Sequence, residues 1–287
     1  MIPPSFDYHA PRSVDEALGL LAQLGGEAKL LAGGHSLLPM MKLRFAQPEA
    51  LIDLNRIPEL RGIREEDGLV RIGAMTTENE LIDSALLRER VPLLPEAARL
   101  IADPQVRNRG TIGGDLAHGD PGNDHPALAM ALDAEFVLQG PAGERRVKAV
   151  DFFHGTYMTA LAEDEILTAI LVPPLPPGTG YAYHKLKRKT GDWATAGAAV
   201  VLRMDGPTVS HAAIGLTNVA PTALRVPQAE AALAGQPLED GVLDAVEAAV
   251  RDACDPAEDL RGDVDYKTAM AAQMARRAVL AAAERCH

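Results

Sequence analysis

The run PPLPPGTG at residues 173–180 constrains the fold of this chain more than any other feature of its sequence. Its four prolines lack a backbone N–H and its two glycines favour turns, so neither a helix nor a central strand can pass through it. The sequence therefore predicts a domain boundary here. Residues 1–177 form the first predicted domain, and residues 178–287 form the second.

The first predicted domain changes in character near residue 55. Apolar residues recur with helical spacing from Val14 to Leu24, after Ser13 as N-cap, and apolar segments typical of buried strands follow at Ala28–Ala32 and Leu51–Leu54. Residues 56–177 instead alternate short strands with short helices. We therefore expect two α/β subdomains, at about residues 1–55 and 56–177.

The remaining predicted elements are short strands and helices. In chain order they are strand Leu69–Gly73, helices Glu78–Leu87 and Leu93–Ile101, a hairpin of Glu135–Leu138 with Arg145–Val147, strands Ala196–Leu202 and Ser210–Leu216, and helices Leu243–Cys254 and Tyr266–Arg285. This arrangement is typical of the α+β class.

Composition and charge exclude several classes of function. The chain has 40 acidic and 28 basic residues, a formal net charge of −12, whereas nucleic-acid binding needs clustered Lys and Arg. No apolar run approaches the roughly 20 residues of a membrane span, and the N-terminus lacks a secretory pattern. Two cysteines, Cys254 and Cys286, are too few for an iron–sulfur cluster, which needs about four. We expect a cytoplasmic protein, with the inner face of the cytoplasmic membrane as a further place of association.

Two glycine pairs carry the clearest chemical signal. They lie in Ala32-Gly33-Gly34-His35-Ser36 and in Thr111-Ile112-Gly113-Gly114-Asp115. Adjacent glycines let backbone N–H groups approach a ligand and form a concave nest for an anion, and a diphosphate fits two such nests. Each pair alone is also compatible with a simple turn. Neither G-x-G-x-x-G nor G-x-x-x-x-G-K-[ST] occurs, so the Rossmann fingerprint and the P-loop are both absent.

Both loops resemble the two FAD-diphosphate loops of the vanillyl-alcohol-oxidase-type flavoproteins. More narrowly, they resemble those of the flavin subunit in the xanthine dehydrogenase family of molybdenum hydroxylases. The likeness extends over essentially the whole chain, through four further segments. These are IADPQVR at 101–107, GDPGND at 119–124, KLKRKTGDW at 185–193 and GLTNVA at 215–220.

The resemblance implies a fold and a set of FAD-binding residues. The fold is a PCMH-type FAD-binding domain of two α/β subdomains, followed by a C-terminal α+β domain with an antiparallel sheet and helices, of the carbon monoxide dehydrogenase flavoprotein type. The implied cofactor-binding residues are Lys29, Leu30, Leu31, Ala32, Gly33, Gly34, His35 and Ser36 in the first loop, Thr111, Ile112, Gly113, Gly114 and Asp115 in the second, and Ile101, Asp124, Leu167, Lys185 and Trp193 elsewhere. No catalytic residue and no metal ligand is implied.

Individual roles follow from the resemblance, and each has a simpler structural alternative. Asp124 is expected to accept hydrogen bonds from ribose hydroxyls, or merely to cap a turn. Lys185 is expected near the flavin, or on a solvated or subunit-docking basic face. Trp193 is expected to cover one face of the flavin ring, or to lie in a core or an interface. Leu167 is expected to pack on the cofactor or in the core. Asp115 stands where many relatives have Asn, and its charge conflicts with a nearby diphosphate.

The expected function is electron transfer rather than substrate chemistry. The family's activity needs a molybdenum centre and [2Fe–2S] clusters, and this chain carries no cysteine set for the clusters. The resemblance therefore implies a large molybdenum subunit and a small iron–sulfur subunit as partners, assembled as a dimer of heterotrimers. Electrons would pass from the small subunit to FAD and then to an external acceptor such as a quinone. Within the family, the branch that oxidises carbon monoxide is the expected match.

Four alternatives remain open at this point. The chain could serve a molybdenum hydroxylase acting on an aldehyde or an N-heterocycle, or be a stand-alone FAD reductase. It could be a metal-dependent hydrolase built on His118, Asp120, Asp124 and His125, since His and Asp are common metal ligands. It could also be a binding module in which the glycine pairs are only turns.

Overall fold

A computed structural model describes residues 2–287. The first unit contains strand β1 (Asp7–His9), helix α1 (Val14–Leu24), strand β2 (Ala28–Leu31), helix α2 (Leu37–Lys42) and strand β3 (Ala50–Asp53). Its strands form a parallel sheet in the order β1-β3-β2. The Ser13 hydroxyl accepts the N–H of Glu16 and so begins α1, whose Val14, Ala17 and Leu21 are buried beside the sheet.

The second unit contains a five-stranded antiparallel sheet flanked by short helices. Its elements are β4 (Ile63–Glu66), β5 (Leu69–Gly73), α3 (Glu78–Asp83), α4 (Ala85–Arg90), α5 (Leu93–Ala98), α6 (Pro104–Arg107), α7 (Ile112–His118), α8 (His125–Ala131), β6 (Glu135–Gly140), β7 (Gly143–Lys148), β8 (Phe153–Gly155), β9 (Met158–Thr159) and β10 (Ile166–Val172). The sheet order is β4-β5-β10-β6-β7, and the predicted hairpin is the β6–β7 pair. Strands β8 and β9 form a separate two-stranded ribbon.

The third unit is an antiparallel sheet with helices. It contains β11 (Gly180–Leu186), β12 (Ala196–Asp205), β13 (Thr208–Thr217), β14 (Leu224–Arg225), α9 (Pro227–Leu233), α10 (Asp240–Ala253) and α11 (Val264–Ala283). The sheet order is β11-β12-β13-β14. Helix α11 packs on β11 and β12, so its alanine- and methionine-rich stripe is core. The predicted α+β class with an antiparallel C-terminal sheet is confirmed.

Helix α8 joins the second and third units. A Cβ atom at Gly215 on β13 would lie 2.1 Å from the carbonyl oxygen of Ala127 on α8, so the sheet and the helix touch through their backbones. Tyr183, Ala199 and Val201 of the third unit accordingly belong to the same core as α8 and the second sheet. The relative position of the second and third units is therefore fixed by packing.

Some predicted elements differ from the observed ones. The single helix predicted over Glu78–Leu87 is wrong, because the backbone of Ser84 is extended and its hydroxyl accepts the N–H of Leu87 to begin a new helix, α4. The helix predicted over Leu93–Ile101 ends at Ala98. The elements that were not predicted are strands β1, β4, β8, β9, β10, β11 and β14 and helices α2, α6, α7, α8 and α9. Among the described helices, none is both long and apolar enough to cross a membrane.

Candidate functional site

A cavity of about 830 Å³ opens where the three units meet. All of the predicted cofactor-binding residues line it except Leu31 and Ile112. Leu31 ends strand β2, and the Ile112 side chain is buried in the core of the second unit. The structure therefore brings together side chains that are separated by more than 160 positions in the sequence, from Lys29 to Trp193.

The two glycine loops are in direct contact. A Cβ atom at Gly33 would lie 2.4 Å from the carbonyl oxygen of Arg109 and 2.9 Å from the Cα of Gly110. From the other side, a Cβ atom at Gly114 would lie 3.1 Å from the Cβ of Ala32. Only glycine permits this approach at Gly33, because the opposing atoms are backbone.

The first loop provides free backbone donors. The N–H groups of Gly33, Gly34, His35 and Ser36 donate to no acceptor within residues 2–287. Gly34 has φ +81°, a conformation that turns successive N–H groups towards one side of the chain. This loop therefore has the geometry of an anion nest, as the sequence predicts.

The second loop differs from the first, because three of its N–H groups have acceptors within the chain, and its role in binding a diphosphate stays a prediction. Its glycines lie in the first turn of α7, where the N–H of Ile112 donates to Thr76 O at 3.0 Å and that of Gly113 to Ala74 O at 2.9 Å. The N–H of Gly114 is taken by the Thr111 hydroxyl at 3.2 Å. Gly113 is required for packing, since a Cβ atom there would lie 2.4 Å from the Cβ of Ala74.

Asp124 and Lys185 form a buried ion pair at the inner end of the cavity. The Lys185 Nζ lies 2.6 Å from Asp124 Oδ2, and the Lys185 side chain is only 2 % exposed. The Tyr183 hydroxyl donates to Asp124 Oδ1, and both burial and the Asp124 charge raise the pKa of Tyr183 well above its usual value. Tyr183 and Lys185 are two residues apart on β11 and so share one face of the strand.

This ion pair changes the roles assigned to Asp124 and Lys185. The turn at 120–123 is capped by Asp120, whose Oδ1 accepts the N–H of Gly122 at 2.8 Å, and not by Asp124. Lys185 is not part of a solvated face. Since the two charges are in contact, they face the same part of any ligand. Each Asp124 oxygen retains a second lone pair for a ligand hydroxyl.

Asp115, Glu78 and His125 form a second buried polar cluster. His125 Nε2 lies 2.9 Å from both carboxylate oxygens of Glu78. Burial disfavours the charged imidazole, but the Glu78 carboxylate outweighs this effect and raises the pKa of His125 to about 9.

The burial of Asp115 favours the neutral form of its carboxyl group. Burial raises its pKa to about 8, against the opposing effect of the His125 charge. Its Oδ2 is buried with no hydrogen-bond partner among the described residues. A protonated carboxyl removes the conflict with a diphosphate that the sequence raises, and it can donate a hydrogen bond.

Leu167 and Trp193 occupy different parts of the cavity. Leu167 is buried in β10, where the strand register shifts between Leu167 and Ala169. Ile166 and Leu167 both line the cavity, although their side chains belong to the cores of different units. Trp193 is 51 % exposed at the mouth, with the Arg261 guanidinium 5.5 Å from its ring centre. The core location considered for Trp193 is therefore wrong.

The alternative metal centre is not formed. Within residues 2–287 no group of three or more His, Cys, Asp or Glu side chains could hold a metal ion. His125 is engaged by Glu78, and His118 stacks against the ring of Tyr157 at 4.9 Å.

Three residues of the site were missed from the sequence: Glu78, Tyr183 and Arg261. Glu78 follows Thr77, a helix N-cap, and nothing local shows that its carboxylate is buried. Arg261 lies in an irregular segment far along the chain from Trp193. Tyr183 could have been found, because two-residue spacing in a strand places it beside Lys185.

Comparison with known proteins gives a consistent result over the whole chain. Residues 4–175 match the family described as the FAD binding domain in molybdopterin dehydrogenase, and residues 181–282 match the carbon monoxide dehydrogenase flavoprotein C-terminal domain. The chain is 66 % identical to the carbon monoxide dehydrogenase medium chain of Hydrogenophaga pseudoflava over 100 % of both chains. It is 53 % identical to the corresponding chain of Afipia carboxidovorans over 97 % of both.

A solved structure shows the same fold. The structure of carbon monoxide dehydrogenase from Hydrogenophaga pseudoflava, in a form lacking the Mo-pyranopterin moiety, matches with a TM-score of 0.99 and 68 % identity over 100 % of both chains. Matches of this extent and identity show the family. The chain belongs to the FAD-binding flavoproteins of the molybdopterin dehydrogenase family, with the C-terminal domain of the carbon monoxide dehydrogenase flavoproteins.

Proposed function

We propose that this chain is the FAD-carrying subunit of an aerobic molybdenum-containing carbon monoxide dehydrogenase. In this function it accepts electrons from a [2Fe–2S] partner subunit and passes them to an external acceptor such as a quinone. One observation carries the proposal. The cavity bordered by the two abutting glycine loops occurs in a chain that matches carbon monoxide dehydrogenase medium chains over its full length.

The residues of the cavity fit FAD. The free N–H groups of Gly33 to Ser36 suit the diphosphate, and Thr111 and Gly114 border the same loop from the other side. The Oδ2 of Asp115, which has no partner among the described residues, is left for a polar atom of the cofactor. We assign all of the predicted residues to the site except the side chains of Leu31 and Ile112.

The protein's own contribution is binding and electrostatics, while bound FAD supplies the redox chemistry. The first loop fixes the anionic part of the dinucleotide. The Asp124–Lys185 pair places a fixed cation and a fixed acceptor at the inner end, and Trp193 limits access of water at the mouth. No side chain is required as a general acid or base, and we name none.

The proposed organisation has two domains, residues 1–177 and 178–287, with subdomains at about 1–55 and 56–177. The family matches end at residue 175 and begin again at 181, which supports this division. We further propose a large molybdenum subunit and a small [2Fe–2S] subunit as partners, in a dimer of heterotrimers located in the cytoplasm. The description of the relatives as medium chains supports such an assembly.

The test is to co-express the chain with both partner subunits and record the visible spectrum of the purified complex before and after addition of carbon monoxide. We expect flavin absorbance that bleaches with carbon monoxide and returns on addition of a quinone. If an aldehyde or an N-heterocycle bleaches the flavin and carbon monoxide does not, the chain is a subunit of another molybdenum hydroxylase. Reduction of the isolated chain by NADPH would favour a stand-alone reductase. A colourless complex would refute the flavoprotein assignment.

A further inference from the structure

The segment that carries Trp193 is fixed by a buried carboxylate. Asp192 is only 6 % exposed, although it precedes the exposed Trp193. Its Oδ2 accepts from Arg188 Nε at 2.8 Å, and its Oδ1 accepts from Arg261 at 3.1 Å. These two hydrogen bonds hold the end of the segment by charge-assisted contacts, which are stronger than neutral ones.

Arg261 connects this segment to the loop that precedes α11. Its guanidinium also lies 3.0 Å from Asp259 Oδ2, and Asp259 is in turn 3.0 Å from the Lys267 Nζ. In the reverse direction, Arg188 donates to the carbonyl oxygen of Leu260 at 3.2 Å. The Trp193 segment and the loop before α11 therefore each donate a hydrogen bond to the other, from Arg188 and from Arg261 respectively.

The same guanidinium lies over the Trp193 ring, 5.5 Å from its centre. A guanidinium that is anchored on one edge by carboxylates can hold an aromatic ring against its face, because the ring's negative face attracts the cation. The Trp193 ring also approaches Gly122, where a Cβ atom would lie 3.1 Å from Trp193 Cδ1. The ring therefore lies close both to Arg261 and to a glycine that leaves room for it.

We propose that Arg261, anchored by Asp192 and Asp259, is a positioning residue that holds Trp193 across the mouth of the cavity. Trp193 in this position slows the departure of the cofactor and the entry of small solutes. The slower departure of the cofactor rests on the proposed function, whereas the role of Arg261 in positioning Trp193 is independent of it. A contact of this kind changes the occupancy of the held position by roughly threefold to tenfold.

The chain has a single tryptophan, so its fluorescence reports on Trp193 alone. The first experiment measures acrylamide quenching and emission anisotropy on the cofactor-free chain, for the wild type, Arg261→Gln, Arg261→Lys and Asp192→Asn. We expect Arg261→Gln to raise the quenching constant about twofold or more and to lower the anisotropy. Arg261→Lys keeps the charge but loses the planar fork, so it should restore the wild-type values only in part.

Arg276→Gln is the matched control. Arg276 lies on α11 and also pairs with several carboxylates, namely Asp240, Asp244 and Glu247, but it makes no contact with Trp193. Its quenching constant should equal that of the wild type. Unchanged quenching in a folded Arg261→Gln chain would overturn the proposal. If that variant does not fold, Asp192→Asn decides in the same way.

The second experiment measures the rate of FAD release after dilution of the loaded complex. Arg261→Gln should raise the rate about threefold to tenfold, and Arg276→Gln should leave it unchanged. An unchanged rate in Arg261→Gln would overturn the role in retaining the cofactor. A wild-type complex that binds no FAD would instead refute the proposed function, while the quenching results would still decide the position of Trp193.

Discussion

The backbone of Gly33 lies so close to Arg109 that a Cβ atom at position 33 would stand 2.4 Å from the Arg109 carbonyl oxygen. This contact joins the first glycine loop to the segment that leads into the second. The free N–H groups of Gly33 to Ser36 therefore lie in a loop that is packed directly against the segment leading into the second loop. A side chain at position 33 must move one loop away from the other.

Gly33→Val should abolish FAD binding and lower the melting temperature by several degrees, because the new side chain collides with backbone that cannot rotate away. Gly19→Val is the control, since nothing lies within 4 Å of a Cβ atom at Gly19 in α1. FAD content of the purified complex, measured by absorbance, is the readout. A folded Gly33→Val complex with full FAD content would show that the loops need not touch.

The Asp124–Lys185 pair should behave as a coupled unit. Replacing either partner leaves the other charge buried and unpaired, so Asp124→Asn and Lys185→Met should each cost about 3 kcal/mol in the free energy of unfolding. The double variant should cost less than the sum of the two by roughly 1–3 kcal/mol. Urea unfolding of all four proteins measures this coupling. Strict additivity would mean that the pair is not formed.

Asp115 should make the protein less stable as the pH rises from acid towards 8. Its pKa is about 8 in the folded chain, whereas the ordinary value is 3.8. Between pH 3.8 and pH 8 the folded chain therefore keeps a proton that the unfolded chain releases. Asp115→Asn removes this effect. We expect the variant to be more stable than the wild type by about 1 kcal/mol or more at pH 7.5, and nearly equal to it at pH 4. A variant less stable than the wild type at both pH values would show that Asp115 is ionised and paired.

His125 should add a second loss of stability at higher pH. Its folded pKa of about 9 exceeds the ordinary value of 6.5, so its contribution is complete below pH 6.5 and disappears as the pH rises through 9. Glu78→Gln removes the carboxylate that favours the charged imidazole and should flatten the stability profile between pH 6.5 and 9. Thermal melting across this range tests it. An unchanged slope in the variant would contradict the Glu78–His125 assignment.

The cavity residues that could be predicted from the sequence are those that lie in contiguous motifs. The two glycine loops, the 119–124 segment and the 185–193 segment each contain several site residues, and the structure places them around one cavity. The same motifs could not predict which backbone N–H groups of the loops have an acceptor within the chain. Whether the N–H of Gly113 is free depends on Ala74, which comes from a different part of the chain.

The residues that were missed act through long-range partners. Glu78 meets His125 across 47 positions, Tyr183 meets Asp124 across 59, and Arg261 meets Asp192 across 69. For Glu78 and Arg261, no local pattern distinguishes the residue from an exposed one, whereas the spacing of Tyr183 to Lys185 was an available signal. The break at Ser84 was missed for a related reason, since helical spacing continues through it while the Ser84 hydroxyl caps the next helix.

The crystal structure of the assembled complex with FAD is the most direct test of the proposed site. We predict that the diphosphate accepts hydrogen bonds from the N–H groups of Gly33 to Ser36, at about 2.7–3.2 Å, and none from the N–H groups of Ile112 and Gly113. FAD bound elsewhere, or a diphosphate out of reach of the first loop, would contradict the assignment of this cavity.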